Sequence, residues 1–192
     1  MTAGVRLGVL ASGRGTNLRN LVDRGYRVVA AATNRPSCGA AAIARARGVP
    51  LGEFSQRGHP SSEARDAAMR DWLLALGVGV VVNAGYDRIL SSDFLAAFPG
   101  RVINVHPSLL PAFGGGMDAV ARALARGVKI TGCTVHVVTD EVDAGPILLQ
   151  AAVPVRPDDT VETLHARIQA EEHRILPEAI ELIAEASTSL RQ

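Results

Sequence analysis

The feature that most restricts this chain is an alternation: short runs of β-branched and apolar residues take turns with amphipathic stretches. Strand-like runs fall at residues 5–10, 27–33, 78–82, 102–104, 129–139 and 147–155, with 50–54 as one more short candidate. Helical spacing of apolar residues covers about 17–23, 39–47, 62–76, 118–126 and 160–185. A parallel strand pair needs a crossover, and a helix returning over the sheet supplies it with right-handed sense. Strands alternating with helices over the first hundred residues therefore predict βαβ units. The last two strands differ. Residues 134–139 and 147–150 are separated by the turn-rich D-E-V-D-A-G-P of 140–146, short enough to fold them into an antiparallel hairpin. The expected fold is a single α/β domain over 1–192: a mostly parallel twisted sheet, helices on both faces, and an antiparallel C-terminal hairpin edge. No internal repeat or linker breaks the pattern.

With 192 residues, 47% of them hydrophobic, the chain can bury a sizeable core. Its 20 basic and 19 acidic residues give a formal net charge of +1, and no run of five like charges occurs. The broad basic footprint of a nucleic-acid binder is missing, which leaves room for a small anionic ligand in a local site. Apolar runs such as 78–82 stop well short of the roughly 20 residues that a membrane span requires. The N-terminal run enters a strand and lacks the pattern of a secretion signal, so the expected location is cytoplasmic. Cys38 and Cys133 share no CxxC spacing, which argues against a disulfide framework and a thiolate zinc site.

Ligands of open α/β sheets bind beyond the C-terminal ends of the strands. Three segments put polar residues there. The loop S-G-R-G-T-N (12–17) joins the first strand to the first helix, where backbone N–H groups and the helix N-terminus suit a phosphate. It is not a P-loop, because Gly15 is followed by Thr16 and Asn17 and not by Lys and Ser or Thr. Nor is it a dinucleotide fingerprint, because Leu18 takes the third glycine's place and no acidic residue ends the next strand.

The second segment is V-I-N-V-H-P-S-L-L-P (102–111). Strand alternation places Val102, Asn104 and His106 on one side, and the residue before Pro107 favours the same extended conformation. An amide and an imidazole converging beyond the sheet edge could stabilise an oxyanion and move a proton. On these residues alone, Asn104 could equally cap a turn and His106 pack against Leu109. The third segment is the hairpin loop with Asp140, Glu141 and Asp143, either a solvated turn or the source of a carboxylate that orients a histidine. A metal site of His106, His136 and these carboxylates is disfavoured, since no two histidines share an H-x₃-H helix face. His59, His136 and His165 read as structural or surface residues, and Cys133 as a buried free thiol. Glu171, Glu172 and His173 read as an exposed helix face from which one carboxylate could reach a ligand.

Taken together, the motifs resemble one family. S-G-R-G-T-N-L (12–18), A-G-Y-D-R-I-L (84–90), N-V-H-P-S-L-L-P (104–111), G-C-T-V-H (132–136) and D-E-V-D-A-G-P-I-L-L-Q (140–150) are similar, in order and over nearly the whole chain, to the phosphoribosylglycinamide formyltransferases. Related tRNA and hydrolase enzymes share the H-P-S-L-L-P segment but carry an extra domain, for which 192 residues leave no room.

The resemblance implies a formyltransferase fold, Rossmann-like in plan, and a role in purine biosynthesis and one-carbon metabolism. It implies 10-formyltetrahydrofolate as formyl donor, glycinamide ribonucleotide as acceptor, and no metal. By similarity, Asn104 donates to the oxyanion, protonated His106 stabilises it and moves a proton, and Asp143 supports His106. Gly15, Thr16 and Asn17 would hold the phosphate and Glu172 the other end of the ribonucleotide. The folate would lie beside Asp87, Arg88, Ile89 and Leu90 and the loop Asp140, Glu141, Val142 and Asp143. Partners would be these small molecules, with no nucleic acid and no membrane, the protein being a monomer or homodimer. Three positions depart from the family pattern. Asp87 replaces a common Met and puts a charge near the folate slot, F-G-G-G-M-D (113–118) predicts a more flexible lid, and Ser62 stands where some relatives carry a folate-binding Arg.

Overall fold

In a computed structural model, which describes residues 4–189, with side chains described to 185, the alternation resolves into thirteen principal elements. They are β1 (Leu7–Leu10), α1 (Thr16–Asp23), β2 (Val28–Thr33), α2 (Gly39–Ala46), β3 (Leu51–Glu53), α3 (Ser62–Ala75), β4 (Val80–Asn83), α4 (Ser92–Ala97), β5 (Val102–His106), α5 (Ala119–Arg126), β6 (Ile130–Val137), β7 (Ile147–Pro154) and α6 (Val161–Ser189). A single seven-stranded sheet has the order β3-β2-β1-β4-β5-β6-β7. The first five strands in sequence pair in parallel, and β6 and β7 join antiparallel. Of the candidate strand 50–54 only residues 51–53 form β3, and β5 runs on to His106, two residues beyond the expected end. The helix α4 was not expected: six residues are too few to show a period, and its start is marked by Ser91, whose hydroxyl accepts the Phe94 N–H.

Each sheet face has its own core. Leu7, Val9, Ile103 and Val105 pack with Leu18, Leu21, Ile43, Ile168 and Ile175 from α1, α2 and α6. Leu10, Val81 and Val102 pack with Met69 and Leu73 from α3, Phe94 from α4 and Phe98 just after it. This division follows from the two-residue period of the strands. A buried ion pair ties α3 to α4. Arg65 Nε and Nη2 donate to Asp66 Oδ1 at 2.9 and 2.7 Å, and Asp66 Oδ2 accepts the Ser91 N–H at 2.8 Å.

α6 runs through Pro177, which has no N–H to give to the carbonyl of His173 one turn earlier. The Asn20 amide of α1 fills the gap, donating to His173 O at 2.9 Å. Chain direction across the sheet reverses between β1 and β4: the chain goes from β1 outward to β2 and β3, then returns to place β4 on the other flank of β1. The loops after β1 and β4 diverge there and open a crevice.

Candidate active site

At the end of β1 the chain turns sharply into α1. Gly15 has φ +74°, and a Cβ there would lie 2.5 Å from the Ala40 Cα, so no other residue fits. The turn presents the α1 N-terminus to a shallow cleft whose wall includes Arg14, Thr16, Arg19, Arg35, Ser37 and Cys38. Thr16 is on this wall, and its hydroxyl accepts the Gln169 amide at 2.8 Å. Gly15, Asn17 and Glu172 are not on it. Asn17 and Glu172 are buried and paired, Nδ2 donating to Oε2 at 3.0 Å. Burial pushes the Glu172 carboxyl up to about 7, against the pull of Asn17 and Arg14. Asn17 Oδ1, also buried, has no hydrogen-bond partner among the described residues. Glu172 is therefore part of the packed floor between α1 and α6 and not of the exposed face expected from the sequence.

The end of β5 supplies the second half of the site. Asn104 and His106 emerge on one side, as alternation requires, and the antiparallel register sets Asn104 opposite His136 and His106 opposite Thr134. His136 Nδ1 lies 3.0 Å from the Val137 carbonyl. A carbonyl only accepts, so Nδ1 carries the proton of the neutral ring, and Nε2 accepts from Asn104 Nδ2 at 3.1 Å. One amide hydrogen of Asn104 is thus committed and the other is available. By the same argument His106 Nε2, 3.2 Å from the Phe113 carbonyl, is a donor. That leaves Nδ1 bare, 3.5 Å from Asp143 Oδ2.

Asp143 sits in the hairpin loop with φ +55° and closes the group. Its carboxylate faces both rings, with Oδ1 3.6 Å from His136 Nε2, and accepts the Gly115 N–H at 2.8 Å. A protonated His136 imidazole above all, then the Gly115 N–H and a protonated His106, hold its carboxyl down at about 2 although burial works against them. Burial lowers the pKa of His106 below its ordinary value and outweighs Asp143, which raises it. This differs from the protonated resting imidazole expected from the sequence: the ring is almost wholly buried, and desolvation disfavours its cation. His136, read from the sequence as structural, belongs to the cluster. Only the β5–β6 register reveals that, and the register depends on where the hairpin turns.

Beside these residues lies a cleft of about 280 Å³. Its apolar wall includes Ile89, Leu90, Met117, Val138 and Val142, of which Ile89 and Met117 are each over 70% exposed. Asp87, Arg88, Ile89, Leu90, Val142 and Asp143 all line it, as expected. Asp140 and Glu141 do not. Asp140 accepts from the Ser92 hydroxyl at 2.5 Å and the Glu141 carbonyl from the Thr139 hydroxyl at 3.1 Å, so both serve the shape of the loop. The charge of Asp87 is not loose in the slot. Burial would raise its pKa, but the hydrogen bond from the Asn34 amide, the neighbouring Ser12 hydroxyl and the nearby Arg35 bring it below the ordinary carboxylate value. The glycine-rich lid is fastened as well, by Arg122 Nη1 donating to Gly114 O at 3.0 Å and by the Gly115 bond to Asp143. Ser62, the third departure, is exposed in the first turn of α3 and is not on the cleft wall.

Among the described residues no three His, Cys, Asp or Glu side chains are grouped to hold a metal ion, and no helix is long and apolar enough to cross a membrane. The arrangement instead places an amide donor, a bare imidazole nitrogen and a carboxylate on the wall of an apolar slot, with a separate basic cleft at the α1 N-terminus. That equipment suits acyl transfer to an amine.

Comparison with known proteins agrees. Residues 5–180 match the formyl transferase family. Phosphoribosylglycinamide formyltransferase of Mycobacterium tuberculosis (strain ATCC 25618 / H37Rv) is 47% identical over 188 residues, covering 95% of this chain and 86% of that protein. Among solved structures, glycinamide ribonucleotide transformylase 1 from Symbiobacterium toebii superposes with a TM-score of 0.91 at 50% identity, covering 95% of this chain and 88% of that one. Phosphoribosylglycinamide formyltransferase from Brucella melitensis gives 0.87 at 40% identity, covering 94% and 95%.

Proposed function

This chain belongs to the formyl transferase family, and from that premise we propose that it transfers the formyl group of 10-formyltetrahydrofolate to the amine of glycinamide ribonucleotide. The products are formylglycinamide ribonucleotide and tetrahydrofolate, in a step of de novo purine biosynthesis. The observation that carries this reading is the convergence of Asn104, His106 and Asp143 on the wall of the apolar cleft, which the loop after β4 also lines. The exposed Ile89, Met117 and Val142 give an apolar wall for a pterin ring, with residues 88–90 along it. The basic cleft at the α1 N-terminus suits a ribose phosphate, with Thr16 on its wall, Gly15 shaping its turn, and Asn17 and Glu172 behind it.

The folate, when bound, supplies an electrophilic formyl carbon to the attacking amine. Asn104 points its uncommitted Nδ2 hydrogen at the formyl oxygen and stabilises the negative charge that develops there. His106 Nδ1, bare at rest, takes the proton that the amine loses as the new C–N bond forms. Asp143 then faces an imidazolium, and the Coulombic attraction across 3.5 Å stabilises it. His106 returns this proton, directly or through a water held by Asp143, to the folate nitrogen as its bond to the formyl carbon breaks, so that no net proton is gained or lost. His136 fixes the Asn104 amide, and the Phe113 carbonyl keeps the His106 proton on Nε2.

Mixing purified protein with both substrates and following folate absorbance tests the reading. The expected result is an absorbance change that requires the ribonucleotide and yields a formylated product. Release of tetrahydrofolate at the same rate without the ribonucleotide would point to water as acceptor, and no reaction at all would contradict formyl transfer.

A further inference from the structure

Asp87 lines the apolar cleft, yet its carboxylate is engaged on the other side of the crevice. Oδ1 accepts the Asn34 amide at 2.7 Å, and Oδ2 meets the Arg35 guanidinium in an ion pair. Asn34 Oδ1 accepts the Ser12 hydroxyl at 2.5 Å, and the Ser12 oxygen accepts the Asp87 N–H at 3.1 Å. Ser12, Asn34 and Asp87 follow the ends of three neighbouring strands, β1, β2 and β4, so a closed ring of hydrogen bonds spans the crevice. Arg35, attached to this ring, is on the wall of the basic cleft. Its side chain is 60% exposed, whereas that of Asp87 is 13% exposed. A methionine in place of Asp87 could make none of these side-chain bonds.

We propose that Asp87 is a positioning residue for the anion in the neighbouring cleft: it holds Arg35 there, Arg35 binds the phosphate monoester of the acceptor, and one ion pair links the two clefts. The inference rests on the reading above for the identity of the anion. A guanidinium has five donors in a rigid fork, so one edge can stay on Asp87 while another meets a phosphate oxygen. An exposed arginine without an anchor spreads over many rotamers, and that freedom is lost on binding; an arginine already held loses less. The Asp87 carboxylate also repels an anion, but its charge is offset by Arg35 at contact distance, so positioning outweighs repulsion.

The test uses Arg35→Ala, Asp87→Asn and the double variant. Two quantities are read: the KM for each substrate, and the binding of ribose 5-phosphate by calorimetry. The second needs no turnover and reports on the cleft even if the natural acceptor is another amine. Arg35→Ala should weaken ribose 5-phosphate binding and raise the ribonucleotide KM by about tenfold, the worth of a charge-assisted hydrogen bond. Asp87→Asn should raise the same two quantities by about threefold or more, a larger change than it makes in the donor KM. The double variant should be no worse than Arg35→Ala alone, because Asp87 acts through Arg35. Arg35→Lys should restore part of the affinity. The proposal is overturned if Arg35→Ala leaves sugar-phosphate binding unchanged, if Asp87→Asn tightens that binding or shifts only the donor KM, or if the two effects add. Should Asp87→Asn fail to fold, the exposed Arg35 variants decide alone.

Discussion

His106 gives its Nε2 hydrogen to the Phe113 carbonyl, so the nitrogen left to titrate is Nδ1, beside Asp143. Since burial lowers the pKa of this ring, the neutral base should be present at pH 7 and be lost only in mildly acidic solution. The kcat/KM profile is expected to fall with decreasing pH through an inflection below 6.5, the ordinary value for the ring. Asp143→Asn removes the charge that raises this pKa. The inflection should then move lower still, and the plateau should drop by roughly 10²-fold or more, as for loss of support to an acid–base group. An inflection above the ordinary value, or one that Asp143→Asn leaves in place, would contradict this assignment. At this scale the sequence told which side of β5 Asn104 and His106 occupy, because a strand's period is fixed. It did not tell the protonation state, which depends on how deeply the ring is buried, nor the role of His136, whose partner lies across the sheet.

Secondary elements were legible where the period had room to repeat, as in α3 and α6, and not in the six-residue α4, whose place is set by the Ser91 cap and the Asp66 carboxylate. Proline within a helix shows how such gaps are filled from outside. Pro177 would break α6 were it not for packing on both sides and the Asn20 amide, which serves the carbonyl that proline cannot. Asn20→Ala should leave His173 O without that donor and destabilise the fold by about 1–2 kcal/mol. For a chain of this size that is a fall in Tm of roughly 2–8 °C, measurable by calorimetry. An unchanged Tm would mean that water replaces the amide without loss. The buried Arg65–Asp66 pair is a different case: its attraction is offset by the desolvation of two charges, so its contribution lies in fixing α4 against α3 more than in net stability.

At the scale of the whole molecule, strand and helix alternation with the late hairpin was enough to predict a parallel sheet with an antiparallel edge, because crossovers and short loops leave few other arrangements. The strand order was not read in advance, and it is the order that makes the site: the reversal between β1 and β4 separates two loops that the Ser12–Asn34–Asp87 ring then ties together. Asp87, expected to put a charge near the folate slot, does line the cleft but turns its carboxylate to a partner 52 positions earlier in the chain. An ion pair of that kind leaves no local pattern. If chemistry resides in the strand-end pair and binding in the two clefts, kcat at saturating substrates for Asn104→Ala and His106→Ala is the measurement that shows it. A loss on the order of 10² to 10⁴ in kcat is expected for each, with ribose 5-phosphate binding retained. A loss smaller than about fivefold, far below what an oxyanion donor or a proton-transfer group contributes, would contradict it.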